Sequence, residues 1–363
     1  MAGAGGLSRC AKAEAFLSGS IAGVGIVLFL KWFMSCRNTT ERAENETTTL
    51  KTDTKPRKVG ILLDPVYGFR CVLTKGIVYP PWSEDQEEAI ERLRASDWLR
   101  DSDIVIATYP KAGTTLMQQI VMLLLNDGRV ERVGDVMVTS PWIEREYCLA
   151  KDRNAALEII RKGRTPGTSN RLVLKTHAPF HLFPAGRIPN RCKIIVVVRD
   201  PRDVAVSMHK HYLGLPRFQY KGPLDHFVNL FLAGKVGHGC FFDHISGWWD
   251  AYKQYGSKNI LWLRYEEIIS DKINVVQKVA EFLGVSGDDD LYHRVMAGSD
   301  IDAMRSNAAR RSSKQNNFGS VTHFDKGVSG RWKTKLTVSE AEGFKFLYER
   351  KLRGKSMDLT FDI

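Results

Sequence analysis

Paired cysteines are missing from this chain. Six cysteines fall at positions 10, 36, 71, 148, 192 and 240 of 363 residues, with no CxxC pair and no zinc-ligand spacing. They read as buried or free thiols. His209 and His211 lie close together, but no cysteine or clustered carboxylate completes a ligand set, so no metal is expected. An internal repeat is also missing. So is the nucleotide-binding pattern GxxxxGK[ST], which argues against a Mg²⁺-dependent nucleotide kinase. No basic run is interleaved with stacking aromatics, so nucleic acid is not an expected partner. An acidic excess is absent too. The chain has 53 basic and 41 acidic residues, net +12, and residues 1–58 hold nine basic and five acidic side chains, which leaves +8 for the rest.

A basic domain favours anionic partners such as a phosphorylated or sulfated small molecule, though a solvated lysine-rich surface accounts for the same totals. The hydrophobic fraction, 43%, is ordinary for a globular protein and excludes a disordered chain. The length allows one large α/β domain or two smaller ones.

Near the N-terminus, Ala15 to Leu30 carries no charge, and Trp32, Phe33 and Met34 extend the stretch past Lys31. A spanning helix needs about 20 apolar residues. Residues 1–35 are therefore expected to form a tail and an uncleaved transmembrane helix, and residues 36–58, polar with few large apolar residues, a flexible stalk. Gly19 and Gly23 form a GxxxG pair. Flanking charges are nearly tied: Arg9 and Lys12 on one side, Lys31 and Arg37 on the other. Sequons at Asn38 and Asn45 point to a lumenal main domain.

From Val59 the pattern becomes globular. Ser83 is a candidate N-cap for a helix carrying Ala89, Ile90, Leu93 and Trp98. Short apolar runs at Ile104–Ala107, Arg171–His177, Ile194–Val198 and from Ile260 predict buried strands. Helical stretches alternate with them, for example Thr114–Leu125, Arg202–Tyr212 and Asn274–Leu283. The alternation predicts an α/β fold with a central parallel sheet flanked by helices, in which ligands bind outside the carboxyl ends of the strands.

Four pieces carry chemistry. In "TYPKAGTTLMQQ" a strand gives way to a helix through Lys111, Ala112, Gly113, Thr114 and Thr115. A helix N-terminus with a glycine, a lysine and two hydroxyls makes an anion cradle. A tight turn with a threonine cap fits the same residues. In "VVVRDPRDVAVS" Arg199 stands at a strand's carboxyl end, placed for bidentate phosphate binding or for pairing with Asp200 or Asp203. In "LKTH" His177 ends a strand, with Lys175 on the same side, and suits a general base or a structural histidine. In "FDKGVSGRWK" Lys326, Gly327 and Gly330 form a basic loop before Trp332.

In this order the four pieces resemble the cytosolic-type sulfotransferase family, from about Val59 to the C-terminus. The resemblance implies a P-loop-like sulfotransferase fold, here with an added N-terminal membrane anchor. It also implies transfer of the sulfuryl group of 3′-phosphoadenosine 5′-phosphosulfate (PAPS) to a hydroxyl or amine of a small acceptor, without a metal. "TYPKAGTT" is similar to the loop that binds the 5′-phosphosulfate through Lys111, Ala112, Gly113, Thr114, Thr115 and Leu116. Arg199 and Ser207 match the 3′-phosphate site, and Tyr265 in "RYEEI" matches the adenine contact. "KGVSGRWK" matches the loop over the nucleotide, with Lys326 and Gly327. The catalytic group would be His177 as base, with Lys111 and Lys175. "KTKLTVSEAE" fits the family's dimer-contact pattern at Lys333, Thr337, Val338 and Glu342, which implies a homodimer. The family places this domain on the cytoplasmic side, against the sequons; either way a single-pass membrane protein is expected.

Departures from the family pattern stand at Leu116, where an aromatic stacks on adenine, at Ala112, where serine is usual, and at Asp325, where an arginine is common. Leu116 and Asp325 support an alternative: a non-catalytic, membrane-tethered nucleotide- or anion-binding relative. Phe180, Phe183, Phe218 and Tyr220, in the loops 180–188 and 216–223, are expected to line an acceptor pocket for an apolar or phenolic compound.

Overall fold

The structure, a computed structural model, describes residues 61–62, 64, 66–162, 171–312 and 327–357. Residues 58–336 and 343–363 form one compact unit; residues 1–57 and 337–342 form another, of which only 337–342 are described. In that second unit Thr337 and Glu340 make a reciprocal cap at the start of the helix Val338–Leu352. The Thr337 hydroxyl accepts from the Glu340 N–H at 3.2 Å, and Glu340 Oε2 accepts from the Thr337 N–H at 2.7 Å.

In the main unit β1 (Ile61–Leu62), β2 (Arg70–Thr74) and β3 (Ile77–Tyr79) form an antiparallel sheet. The central sheet has β4 (Ile104–Thr108), β5 (Val173–Thr176), β6 (Lys193–Val198) and β7 (Ile260–Arg264), all parallel, in the order β5-β4-β6-β7. Every residue of β4 and β5 is buried, as are the last five of β6. This is why these strands are continuous apolar runs rather than alternating ones. The helix Thr114–Leu124 packs Met117, Ile120, Val121 and Leu124 into a core shared with Ile106, Val197 and Leu263 of the sheet and with Val275 and Val279 of the helix Lys272–Leu283.

Register places the site. Ala107 pairs with Thr176 and Thr108 with Val197, so β4, β5 and β6 end together. The chain leaves β4 for β5 on one side and then crosses to β6 on the other. The carboxyl end of β4 is therefore the switch point at which α/β sheets leave a ligand crevice.

Two expectations need correcting. The helix expected from Ser83 spans Gln86–Arg94 with Asp85 at its N-cap, and Trp98 lies beyond its end. The Gln86 side-chain oxygen accepts the Trp82 N–H at 3.0 Å. The single-pass membrane localisation is also overturned. No helix among the described residues is long and apolar enough to cross a membrane. The helices Phe241–Tyr255 and Val338–Leu352, 15 residues each, reach only about 22 Å against a hydrocarbon core of about 30 Å. Ala15–Leu30, the stalk and its sequons lie outside the described residues.

Candidate functional site

The segment 108–115 is the hub of the site. Gly113 takes φ +109°, a left-handed value open to glycine, and a Cβ there would fall 2.7 Å from Cδ2 of Tyr265. Lys111 takes φ +70° without being glycine. Non-glycine residues held there store strain, and such strain clusters at functional sites. The helix Thr114–Leu124 starts at Gly113 with no side-chain cap, and its first internal bond runs from Met117 N to Gly113 O. The amides of Thr114 to Leu116 thus have no partner within the helix. Ala112 is fully buried, Thr115 and Leu116 are half-buried, and the Thr114 hydroxyl lies 2.6 Å from that of Thr108.

Three side chains from neighbouring elements reach this segment. His177, just past β5, has Nδ1 2.8 Å from the Thr108 carbonyl oxygen. A carbonyl only accepts, so Nδ1 carries the hydrogen and Nε2 keeps its lone pair. Arg199, just past β6, donates from Nη1 to the Lys111 carbonyl at 3.2 Å and from Nη2 to the Val328 carbonyl at 3.1 Å; its buried Nε has no partner among the described residues. Tyr265, opening the helix Tyr265–Ser270, lies under the Arg199 guanidinium, 4.2 Å from it. Lys111, His177, Arg199 and Tyr265 are therefore one constellation. Ser207 is buried in the second turn of the helix Pro201–Leu213, outside these hydrogen bonds. Gly327 takes φ +65°. Lys326 and Asp325 lie outside the described residues.

Electrostatics differ between the two flanks. His177 is 6% exposed, and burial, followed by the charges of His238 and Lys175, holds its pKa well below the usual histidine value. It is neutral at pH 7. Lys175, 4% exposed, sits 4.8 Å over the Trp142 ring; burial brings its pKa down to about 8 against the opposing pull of Glu144. Arg199 has an acidic neighbour in Asp203 at 3.8 Å, while Asp200 pairs with Arg202 instead.

Several contributors carry little local signal. Glu144 Oε1 accepts from the His177 N–H at 2.7 Å and the Thr176 hydroxyl at 2.8 Å, which fixes the end of β5. Trp142 and His238 stand edge-on to the His177 ring at 4.8 and 5.3 Å, and Tyr79 and Trp82 complete the aromatic wall through His238 and Trp142. Of the four aromatics expected to line an acceptor pocket, Phe180 is half-buried and Phe183, Phe218 and Tyr220 are buried. Phe180 and Phe183 lie against Trp248, and Phe218 and Tyr220 against Phe69. Only "SPW" before Glu144, which the isolated bridge Trp142–Lys175 ties to the end of β5, could have hinted at the rings beside His177.

Among the described residues no His/Cys/Asp/Glu group could hold a metal ion. Cys71, Cys148, Cys192 and Cys240 are free, and burial pushes the Cys71 thiol up to about 12. An uncapped helix N-terminus, a lysine in a strained loop and an arginine with an unpartnered donor fit a multiply anionic donor.

Comparison with known proteins gives the same chemistry. The sulfotransferase domain family matches residues 101–356. Sulfotransferase 1B1 of Mus musculus is 31% identical over 265 residues, 72% of this chain and 86% of that one. Sulfotransferase 2A1 of Homo sapiens is 29% identical over 289 residues, 77% and 93%. The crystal structure of mouse sulfotransferase SULT7A1 complexed with PAP aligns with a TM-score of 0.62 and 29% identity, covering 78% of this chain and 95% of that chain. The chain belongs to the sulfotransferase family and is a PAPS-dependent enzyme that transfers a sulfuryl group.

Proposed function

We propose that His177 is the general base of this transfer, with Lys111 and Lys175 as the cations beside the reacting group. His177 Nε2 takes the proton of the acceptor hydroxyl or amine as the acceptor atom bonds to sulfur. The bond from sulfur to the 5′-phosphate oxygen breaks in line, and the negative charge gathers on the leaving phosphate. Lys111 and the amides of Gly113 to Thr115 meet that charge, and Lys175 supports it from β5. Arg199 and Ser207 hold the 3′-phosphate, Tyr265 and Leu116 the adenine, and Lys326 and Gly327 the nucleotide's outer side. The observation that carries the reading is the His177 Nδ1 to Thr108 carbonyl bond of 2.8 Å, which leaves Nε2 basic beside the Lys111 loop.

The acceptor is a small molecule, and the wall formed by Trp142, Tyr79 and Trp82 beside His177 favours an apolar or phenolic one. A homodimer through Lys333, Thr337, Val338 and Glu342 belongs to the same reading and rests on the match of these residues to the family's dimer-contact pattern. His177→Gln is the test. Turnover with a panel of phenols, steroids and amines is expected to fall by about 10²- to 10⁴-fold, while adenosine 3′,5′-bisphosphate still binds. Turnover like that of the unaltered enzyme would refute the assignment.

A further inference from the structure

Beside Arg199 lies a carboxylate that an anion site has no obvious use for. Asp203 is 2% exposed and 3.8 Å from the Arg199 guanidinium. By charge alone it opposes any phosphate that Arg199 binds. Its hydrogen bonds point elsewhere. Oδ2 accepts from the Gly330 N–H at 2.7 Å and the Ser329 hydroxyl at 3.4 Å, and Oδ1 accepts from the Trp332 N–H at 3.1 Å. One residue earlier, the Arg202 guanidinium lies 3.7 Å over the Trp332 ring, and its edge is held by both oxygens of Asp200, at 2.9 and 2.7 Å. Arg199 itself donates to the Val328 carbonyl at 3.1 Å. Residues 328–332 are thus bolted, backbone first, to the opening turn of the helix Pro201–Leu213.

We propose that Asp203 is a positioning residue for donor binding: it mounts the segment 328–332 beside Arg199, so that this segment retains the nucleotide. The proposal rests on the reading of Arg199 as the 3′-phosphate ligand. The carboxylate opposes the anion and yet serves it, because it holds three groups of the mount that charge alone would not order. A neutral asparagine in its place keeps the size, loses the charge and offers one acceptor oxygen to three donors.

The two roles of the carboxylate predict opposite signs. If Asp203 acts on the phosphate only through its charge, Asp203→Asn binds adenosine 3′,5′-bisphosphate more tightly. If it mounts the segment, Asp203→Asn binds about 10-fold or more weakly, dissociates faster in stopped flow, and loses kcat/KM for PAPS more than kcat. Trp332→Leu, which removes the stack on Arg202 but leaves the backbone bonds to Asp203, is expected to fall between Asp203→Asn and the unaltered full-length chain. Unchanged or tighter nucleotide binding by Asp203→Asn overturns the proposal. Equal losses in kcat and kcat/KM overturn it too, since they would mark a role in the reaction rather than in retention. Arg199→Met tests the underlying reading separately: if it binds the bisphosphate normally, Arg199 is not the phosphate ligand, whatever Asp203→Asn does.

Discussion

At the end of β5 and at the end of β6 the same degree of burial has opposite consequences. His177 and Lys175, 6% and 4% exposed, are buried among aromatic rings, other bases and the Glu144 carboxylate, and burial, the largest influence on each, moves both toward the neutral form. Arg199 and Asp203, 7% and 2% exposed, are buried beside partners of opposite sign or carbonyl oxygens. Desolvation disfavours a charge unless hydrogen bonds and counter-charges replace the lost water. One flank is thereby suited to moving a proton and the other to holding fixed charge. On the function proposed above, a sulfuryl transfer draws on both, with His177 taking the proton and Arg199 holding the nucleotide.

The largest test of this contrast is acid stability. His177 titrates well below the usual value, and His238 and His244 at about 3, all chiefly because of burial. Their folded-state values are depressed, so as pH falls below about 6.5 the unfolded chain takes up protons that the folded one refuses. Stability from these groups is present above that pH and is lost as pH falls toward 3. Each contributes a slope of up to ~1.4 kcal/mol per pH unit, and three together ~4 kcal/mol per unit. Denaturant midpoints between pH 7 and 4 check this. His238→Phe should remove about a third of the slope; an unchanged slope would mean that the cluster is hydrated and the contrast false.

Next in size is the hub both flanks share. Gly113→Ala places a methyl 2.7 Å from the Tyr265 ring at φ +109°. Overpacking and the left-handed backbone together cost about 2–4 kcal/mol. Equilibrium unfolding should register that loss, and nucleotide affinity should fall with it because Tyr265 must move. A variant as stable as the unaltered chain would show that the loop adapts freely.

The sequence made part of this legible. Strand–helix alternation predicted the parallel sheet, and the run Ile194–Val198 predicted its most apolar strand, because continuous apolar runs and local backbone chemistry are read from neighbouring residues. Lys111, Gly113 and Arg199 were legible for the same reason: the first two lie in the turn between a strand and a helix, and Arg199 directly follows a strand. Glu144 was not, since it meets His177 from 33 positions away. The pairing of Asp203 with residues 329–332 spans about 127 positions and has no periodic signature. Phe180, Phe183, Phe218 and Tyr220 carry a less specific signal, because aromatic content marks burial as readily as it marks a pocket. Arg199 was open to pairing with Asp200 or Asp203; Asp200 goes to Arg202 two residues on, and long-range contacts give most of Asp203 to the loop.

A smaller effect sharpens the contrast on its β5 side. With its pKa near 8, Lys175 is a cation below that pH and neutral above it. If that charge supports the transfer, kcat/KM for PAPS falls about 10-fold per pH unit above 8. Lys175→Arg stays charged throughout, so its ratio of rates at pH 9 and pH 7 should stay near that of its own acid limb. A parallel fall in both proteins would assign the titration to another group.

The smallest expected effect concerns Leu116. It packs half-buried against the core at the start of the helix Thr114–Leu124, where sequence resemblance places an adenine-stacking aromatic. Apolar contact with a purine survives a leucine, but the offset stacking of two rings does not, a difference of about 1 kcal/mol. Leu116→Trp should therefore bind adenosine 3′,5′-bisphosphate about 5-fold more tightly, with the gain in dissociation rate. The size of that gain separates the two flanks again. If nucleotide retention depends chiefly on the mount at Asp203, the added ring improves affinity in the unaltered chain and leaves most of the loss in Asp203→Asn unrepaired. If the ring alone restores binding there, adenine stacking rather than the mounted segment governs retention.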